Sequence, residues 1–406
     1  GLQETKYAKE ESKRMKTKRL MATALLGGMF LSAPAYAGFY FGDETKGATI
    51  ATNEADINLR LRLQPRLDYG DIIKSKDGKA YEKDADMYLR RIRLELGGSL
   101  IAKTIKYSLT ITGDKWDQAG HTNALGIQYA NVEWEADDAL SIVFGKEKLP
   151  YSRVSLTSSS KQLFIEKPVS TEAAKKLFGK TDPYYQPKLA AKGKLLDGVI
   201  SYEAALADGW QNGETIQTGK TVFRGKPMYV ARVELSPPGW VEKKKSDASL
   251  GKDQHLALGV NYASQKGIEY NITTADYEEN RTLVGFDISG HYKGLTLQYE
   301  NNMWSASSND PAVADVKPKG WYAQAGYFID GLNIEPAARY EVYDQDSSLS
   351  DKKEKTSTYG VNWYLKGHSL KAGLNRVTTK YAEKATGRLT NDDTKSVYQI
   401  QVQMYY

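Results

Sequence analysis

The chain contains no cysteine, only four histidines, and no apolar run long enough to cross a membrane as a helix. Each absence removes a class of function. Without thiols there are no disulfides, no thiolate metal centres and no covalently attached haem. His121, His255, His291 and His368 show no metal-ligand spacing. Neither a nucleophile elbow nor a glycine-rich phosphate loop occurs, so no cofactor, no metal and no catalytic motif is expected.

The sequence does have a leader pattern. Lys16, Lys18 and Arg19 follow Met15, an apolar run covers residues 20–31, and Ala35, Tyr36 and Ala37 give a small-x-small cleavage signature before Gly38. The run is short of the roughly eighteen residues of a spanning helix and ends at Pro34. The expectation is a signal peptide over 15–37, preceded by an upstream extension at 1–14. A short periplasmic segment at 38–56 and a barrel domain at 57–406 follow. The first 37 residues carry an excess of four positive charges, so the formal +6 of the whole chain falls to +2 beyond them. Net charge therefore gives no sign of a nucleic-acid partner, and where the charges sit matters more than their sum.

Residues 57–69 read INLRLRLQPRLDY, with an apolar residue or proline at every second position and Asn58, Arg60, Arg62, Gln64, Arg66 and Asp68 between them. Period two divides these sets between the two faces of one strand. At about 3.3 Å per residue such a strand spans a hydrocarbon core when tilted. Mean hydropathy is low, at −0.57. A membrane protein of this kind has to close a β-barrel, because lipid offers unpaired backbone groups no partner. The 28 tyrosines and seven tryptophans suffice for two interfacial girdles.

Repeating this reading along the chain gives an all-β fold, a transmembrane antiparallel β-barrel of about sixteen strands. They fall at 57–69, 86–98, 101–113, 124–136, 139–146, 187–195, 198–207, 227–236, 254–264, 282–292, 295–304, 319–329, 332–344, 356–366, 368–379 and 396–406. An even count returns both ends to one side of the membrane. Ala136-Asp137-Asp138, Asp197-Gly198, Lys293-Gly294, Asp330-Gly331 and Lys366-Gly367 read as tight periplasmic turns. Polar stretches at 70–85, 208–226, 305–318 and 380–395 read as extracellular loops. Residues 237–253, with Lys243, Lys244 and Lys245, form a long periplasmic connection read as a solvated turn. In the last strand Tyr398, Ile400, Val402, Met404 and Tyr406 alternate with Gln399, Gln401 and Gln403, which suits closure against the first.

Several segments carry a family resemblance. Residues 88–100 (YLRRIRLELGGSL), 130–134 (ANVEW), 145–152 (GKEKLPYS), 158–160 (SSS) and 164–167 (FIEK) resemble motifs of the phosphate-selective porin O and P family. Weaker echoes occur at 231–237, 285–287 and 335–341. The resemblance implies a sixteen-stranded, trimeric outer-membrane porin. Its third extracellular loop would fold into the lumen, and its arginines and lysines would conduct inorganic anions such as phosphate.

Alternation assigns the candidate pore residues independently. Arg91 and Arg93 share a face with Leu89 and Glu95 and join Arg60, Arg62 and Arg66 on the lumen side, with Lys106 extending the cluster. Guanidinium stays charged and presents a planar fork of donors to tetrahedral oxyanions. Arg90 falls on the outer face, where lipid would cost it about 2–4 kcal/mol, so an interface, a subunit contact or a bulge is required. Pro65, which cannot donate to the ladder, marks the same region as irregular. The forty residues 147–186 are the longest connection and supply Lys148, Arg153, Lys161 and the hydroxyls of Ser158, Ser159 and Ser160. A short helix is expected over 171–178, and a loop this long inside a barrel narrows the pore.

Three other readings compete. A general-diffusion porin would set these cations against Asp68, Glu95, Glu133, Glu135 and Asp287 in a transverse field. An outer-membrane phospholipase would need a Ser-His pair on the barrel exterior. A structural barrel docking a periplasmic partner would have a lumen of small neutral residues. The expected partners are small anions and outer-membrane lipid, and the expected assembly is a homotrimer.

Overall fold

The computed structural model describes residues 38–41, 47–74, 81–101, 103–179, 184–217, 220–272, 275–349, 352–381 and 394–406. The expected extension and leader, and most of the loop at 380–395, lie outside the described residues. Sixteen strands form the barrel: β3 (Asp56–Lys74), β4 (Tyr81–Leu100), β5 (Ile105–Trp116), β6 (Gly126–Asp137), β7 (Leu140–Lys148), β8 (Tyr185–Leu195), β9 (Ile200–Ala207), β12 (Met228–Leu235), β13 (Gln254–Ile272), β14 (Ala275–Tyr292), β15 (Leu295–Ser308), β16 (Lys319–Tyr327), β17 (Ile334–Asp344), β18 (Lys353–Lys366), β19 (Leu370–Tyr381) and β20 (Thr394–Tyr405). Each expected strand is present. Four short strands decorate them. β1 (Gly38–Phe41) and β2 (Ala48–Ala51) extend the start of β3, and β10 (Thr215–Gln217) and β11 (Lys220–Arg224) flank β13. Closure comes from β20 on β3, with Val397 opposite Gly70 and Tyr405 opposite Arg62.

The alternation does what lipid on one side and polar contacts on the other require. On β20, Tyr398, Ile400, Val402 and Met404 are exposed on the outer wall while Gln399, Gln401 and Gln403 are buried. On β13, Leu256, Leu258, Val260 and Tyr262 face out, and His255 and Asn261 are buried. Turn chemistry fixes the register between them. Lys293 (φ 47°) and Gly294 (φ 86°) both take the left-handed conformation, and Tyr292 pairs with Leu295, a two-residue hairpin whose twist matches its strands. A Cβ at Gly294 would lie 2.7 Å from the Phe328 carbonyl oxygen.

Strand ends differ from expectation where alternation fades. β13 and β14 stay paired from Gln254–Tyr292 to Ile272–Ala275, so most of residues 265–281, left between the expected strands 254–264 and 282–292, continues the ladder. β3 and β4 likewise run on to Lys74 and back from Tyr81. Backbone pairing persists beyond lipid, but nothing there requires an apolar face, so the sequence signal is lost first. At the other end β5 begins at Ile105 because Ile101 (φ 51°) and Lys103 (φ 71°) belong to the turn.

The lumen is filled on one side only. The third loop lies inside it as α1 (Arg153–Leu156), α2 (Val169–Ala174) and a 3-10 turn at Lys175–Phe178. Leu149, Tyr151, Leu177, Phe178 and Tyr184 pack against Met228, Val230, Leu283 and Trp304 of the wall. Each such side chain contributes on the order of 1.5–3 kcal/mol. Polar groups of the same wall hold the loop's backbone. Glu300 accepts from Ser152 Oγ (2.7 Å) and Val154 N (3.4 Å), and Glu341 accepts from Val169 N at the start of α2 (2.5 Å). Asn362 donates to the Leu163 carbonyl (2.7 Å), Lys371 to Gln162 (3.1 Å) and Gln403 to Ser160 (3.1 Å). Gly320 leaves room for α2, since a Cβ there would meet Ser170 Cβ at 2.3 Å.

The connection at 237–253 departs from its reading as a solvated turn. It folds inward and meets the third loop: Arg153 makes a two-pronged ion pair with Glu242 (2.6 and 3.0 Å), and Thr157 Oγ1 donates to Asp247 (3.3 Å). Asp247 N donates to the Lys161 carbonyl (3.1 Å), and His368 Nε2 lies 3.0 Å from the Ala248 carbonyl.

Candidate functional site: an off-centre basic channel

Because the third loop packs against β12–β20, space remains between it and β3–β8. It forms a cavity of about 840 Å³ lined, among the described residues, by twelve lysines and arginines and four carboxylates. β3 and β4 supply Arg60, Arg62, Arg90, Arg91, Arg93 and Glu95; the third loop supplies Ser158, Ser159, Ser160, Lys161, Lys167 and Lys175 across from them.

The two strands place their cations through a register fault. Gln64 pairs with Arg91 but Pro65 pairs with Leu89, so Arg90 is an extra residue opposite the proline that cannot donate. Past the bulge the parity of β4 inverts: Tyr88 is buried while Met87 is exposed. Leu89, expected in the lumen, sits opposite outward Pro65. Arg90, expected on the lipid face, turns into the lumen to Glu166 and lies 3.5 Å from Asp114. Arg66 keeps its expected facing despite the proline.

Each guanidinium has a defined partner. Arg62 binds Glu95 (2.7 Å) and stacks over Tyr405 at 4.3 Å, and Arg60 binds the same Glu95 at 3.0 Å. Arg62 (2.9 Å) and Arg93 (3.2 Å) both donate to Ser159 Oγ, so one loop hydroxyl bridges two wall cations. Arg91 donates to Gln64 (3.0 Å). Arg66 holds Asp68 with two bonds (2.7 and 2.9 Å) and also binds Glu166. Ser158 and Ser160 bond one another at 2.9 Å. Buried Nε atoms of Arg62 and Arg93 keep an unmet donor.

The loop groups are tuned by this company. Burial works to raise the Glu166 carboxyl, but the charges of Arg90, Arg66 and Arg91 outweigh it and hold the group well below the usual range. Burial pushes the Lys167 ammonium down to about 8, with Glu172 opposing and Lys175 adding to the shift. Lys148, at the end of β7, donates to the carbonyls of Leu156 (2.9 Å) and Thr157 (3.4 Å) and so braces α1 while lining the cavity.

Of the residues expected at the pore, Arg60, Arg62, Arg91, Arg93, Lys148, Ser158, Ser159, Ser160 and Lys161 line this cavity. Arg66 faces the lumen behind Glu166. Two lie elsewhere. Lys106, near the start of β5, is exposed and paired with Glu135, and Arg153 is wholly buried in its Glu242 clasp. Sequence reasoning missed Lys244 and Lys245, which reach the cavity from the inward connection, and Glu166, which pairs with Arg90 and Arg91 of its lining. The bulge at Pro65 was the available signal for Arg90; none marked the lysines.

Comparison with known proteins agrees with this architecture. The model of the family "Phosphate-selective porin O and P" matches residues 59–406. An uncharacterized protein of Aquifex aeolicus (strain VF5) is 34% identical over 386 residues, covering 88% of this chain and 89% of that one. Porin O of Pseudomonas aeruginosa is 23% identical over 436 residues, 92% of this chain and 94% of its own length. Among solved structures, the anion-selective porin from Comamonas acidovorans superposes with a TM-score of 0.63 at 14% identity, covering 87% of this chain and all of the other. The outer membrane channel DcaP of Acinetobacter baumannii gives 0.57 at 13% identity, with 88% and 99% covered. With a closed sixteen-stranded barrel, an inward loop and a family match across nearly the whole of it, the chain is an outer-membrane channel protein and not an enzyme; it belongs to the phosphate-selective porin O and P family.

Proposed function

We propose that the protein gives small inorganic anions, phosphate or similar oxyanions among them, a passive route across the outer membrane. The observation that carries this is the lining of the channel: twelve cationic side chains against four carboxylates. In a narrow space with low-dielectric walls such a surplus concentrates anions and repels cations. Arg62 and Arg93, gathered on Ser159 Oγ, present donors where an anion oxygen can replace the hydroxyl, and Lys244 and Lys245 offer the next partners toward the inward connection. Binding shared with Glu95 and Asp114 stays weak enough for release.

A transverse-field porin is the second reading, supported by the carboxylate facing nearly every wall arginine. The two diverge in a planar bilayer under a salt gradient. The anion channel gives a reversal potential of the sign set by chloride, and cation preference would refute it. The family membership and the likeness to an anion-selective porin of Comamonas acidovorans support the anion-channel reading. Assembly as a homotrimer is part of this proposal and is read by light scattering of the detergent-solubilised protein.

A further inference from the structure

We propose that Glu166 is a specificity-determining residue of this pore: a tethered carboxylate seated in a cradle of Arg66, Arg90 and Arg91, which a multivalent oxyanion displaces and chloride does not. The inference rests on the anion-channel reading and assigns selectivity to one side chain within it.

Three observations carry it. The carboxylate is held as a bound oxyanion would be. Oε1 takes Arg66 and Arg90 Nε, while Oε2 takes Arg90 Nη2 at 3.1 Å and faces Arg91 Nη2 at 3.6 Å, two oxygens on a fork of guanidinium donors. It is also the accessible member of the group. Its side chain is 28% exposed, against 5%, 11% and 6% for the three arginines, and two of those arginines, Arg90 and Arg91, line the channel cavity. Finally, the loop stays in place without it. Arg339 donates to the Glu166 carbonyl at 3.0 Å, and Phe164 and Ile165 are buried beside it, so release needs only side-chain rotation.

Charge then decides what can replace it. With Glu166 swung out, Asp68 still faces Arg66 and Asp114 still faces Arg90, so three guanidiniums retain two carboxylates and a single unmatched charge plus the lost bidentate bonds must be met. A divalent tetrahedral oxyanion offers both charge and directed acceptors. Chloride balances that one charge but has no directed lone-pair geometry to match the fork.

The test is the block of chloride current by sulfate and by inorganic phosphate, in planar bilayers, for wild type and Glu166→Gln. Removing the tethered charge while keeping its shape should lower the half-blocking concentration about tenfold, because the blocker no longer competes with an internal anion. It should also make that concentration rise with added chloride, which now enters the cradle. Wild-type block that is unchanged or weakened in Glu166→Gln overturns this inference alone. Wild-type channels that prefer cations under a salt gradient overturn the anion-pore reading and the inference with it, and anion-selective wild-type channels that no oxyanion blocks overturn the inference alone. If Glu166→Gln does not insert, Glu166→Asp, whose carboxylate is withdrawn by one methylene, must show block two- to threefold tighter, on the order expected from a partial loss of contact, and no change there refutes the role.

Discussion

Replacing Arg153 by methionine tests whether the third loop and the inward connection lock one another. Arg153 and Glu242 are joined by two bonds of 2.6 and 3.0 Å, and their side chains are 1% and 8% exposed. Taking away the cation leaves the Glu242 carboxylate among buried groups, with Lys245 and His255 each 3.9 Å away. Breaking a buried pair from one side costs about 3–5 kcal/mol, and these weak neighbours place the expectation near the lower figure. Replacing both partners by apolar residues should recover much of the loss, since the double change leaves no orphaned charge. Urea unfolding in lipid vesicles, followed by tryptophan fluorescence, gives the cycle. A coupling energy of at least about 2 kcal/mol is expected, and one below about 0.5 kcal/mol refutes the clasp. Acid adds a signature. Burial works against ionisation of Glu242, but Arg153 holds the carboxyl down to about 2, so its contribution is complete above the ordinary carboxylate range and lost only as pH falls toward 2. Burial raises Asp247 to about 6, so its ionisation costs stability above that pH and the cost is relieved between about 6 and 4.

Three further outcomes follow from the channel. Neutralising Arg60, Arg62, Arg91 or Arg93 to glutamine should lower chloride conductance and weaken phosphate block by roughly tenfold, while unchanged block removes that residue from the path. Because Lys167 titrates near 8, chloride-over-potassium permeability should fall between pH 7 and 9 in wild type, and Lys167→Met should lack that step. Gly320→Ala should cost about 1–3 kcal/mol by driving a methyl into Ser170, with noisier open-channel current as α2 lifts; wild-type stability and noise would show that the close approach is not needed.

The sequence carried the fold further than the site. β3 and β20 show their faces plainly because lipid imposes an apolar residue at every second position, and the same rule located Arg60, Arg62, Arg91 and Arg93. Pro65 announced a fault without giving its direction, since a missing donor permits a bulge on the partner strand but does not say which way the extra side chain turns. Lys244, Lys245 and Glu166 were illegible for a different reason. Their places depend on where whole connections fold, and that is decided by contacts far along the chain, such as Arg153 with Glu242 and Arg339 with the Glu166 carbonyl. Pro237, Pro238 and Gly239 read as any solvated turn reads.

The fault at Arg90 sets an upper bound aside. On a regular strand, inward side chains recur about every 7 Å, which limits the linear density of charge a single strand can present to a permeating ion. Inserting one residue turns Tyr88, Arg90, Arg91 and Arg93 all inward, so two successive residues contribute cations where regular pleating allows one. For an ion exchanging partners, a shorter step between sites is a lower barrier between wells. A variant lacking Arg90 would restore ordinary pleating to β4 and lengthen the step, so the pore's conduction is written as much in the count of residues on one strand as in their identity.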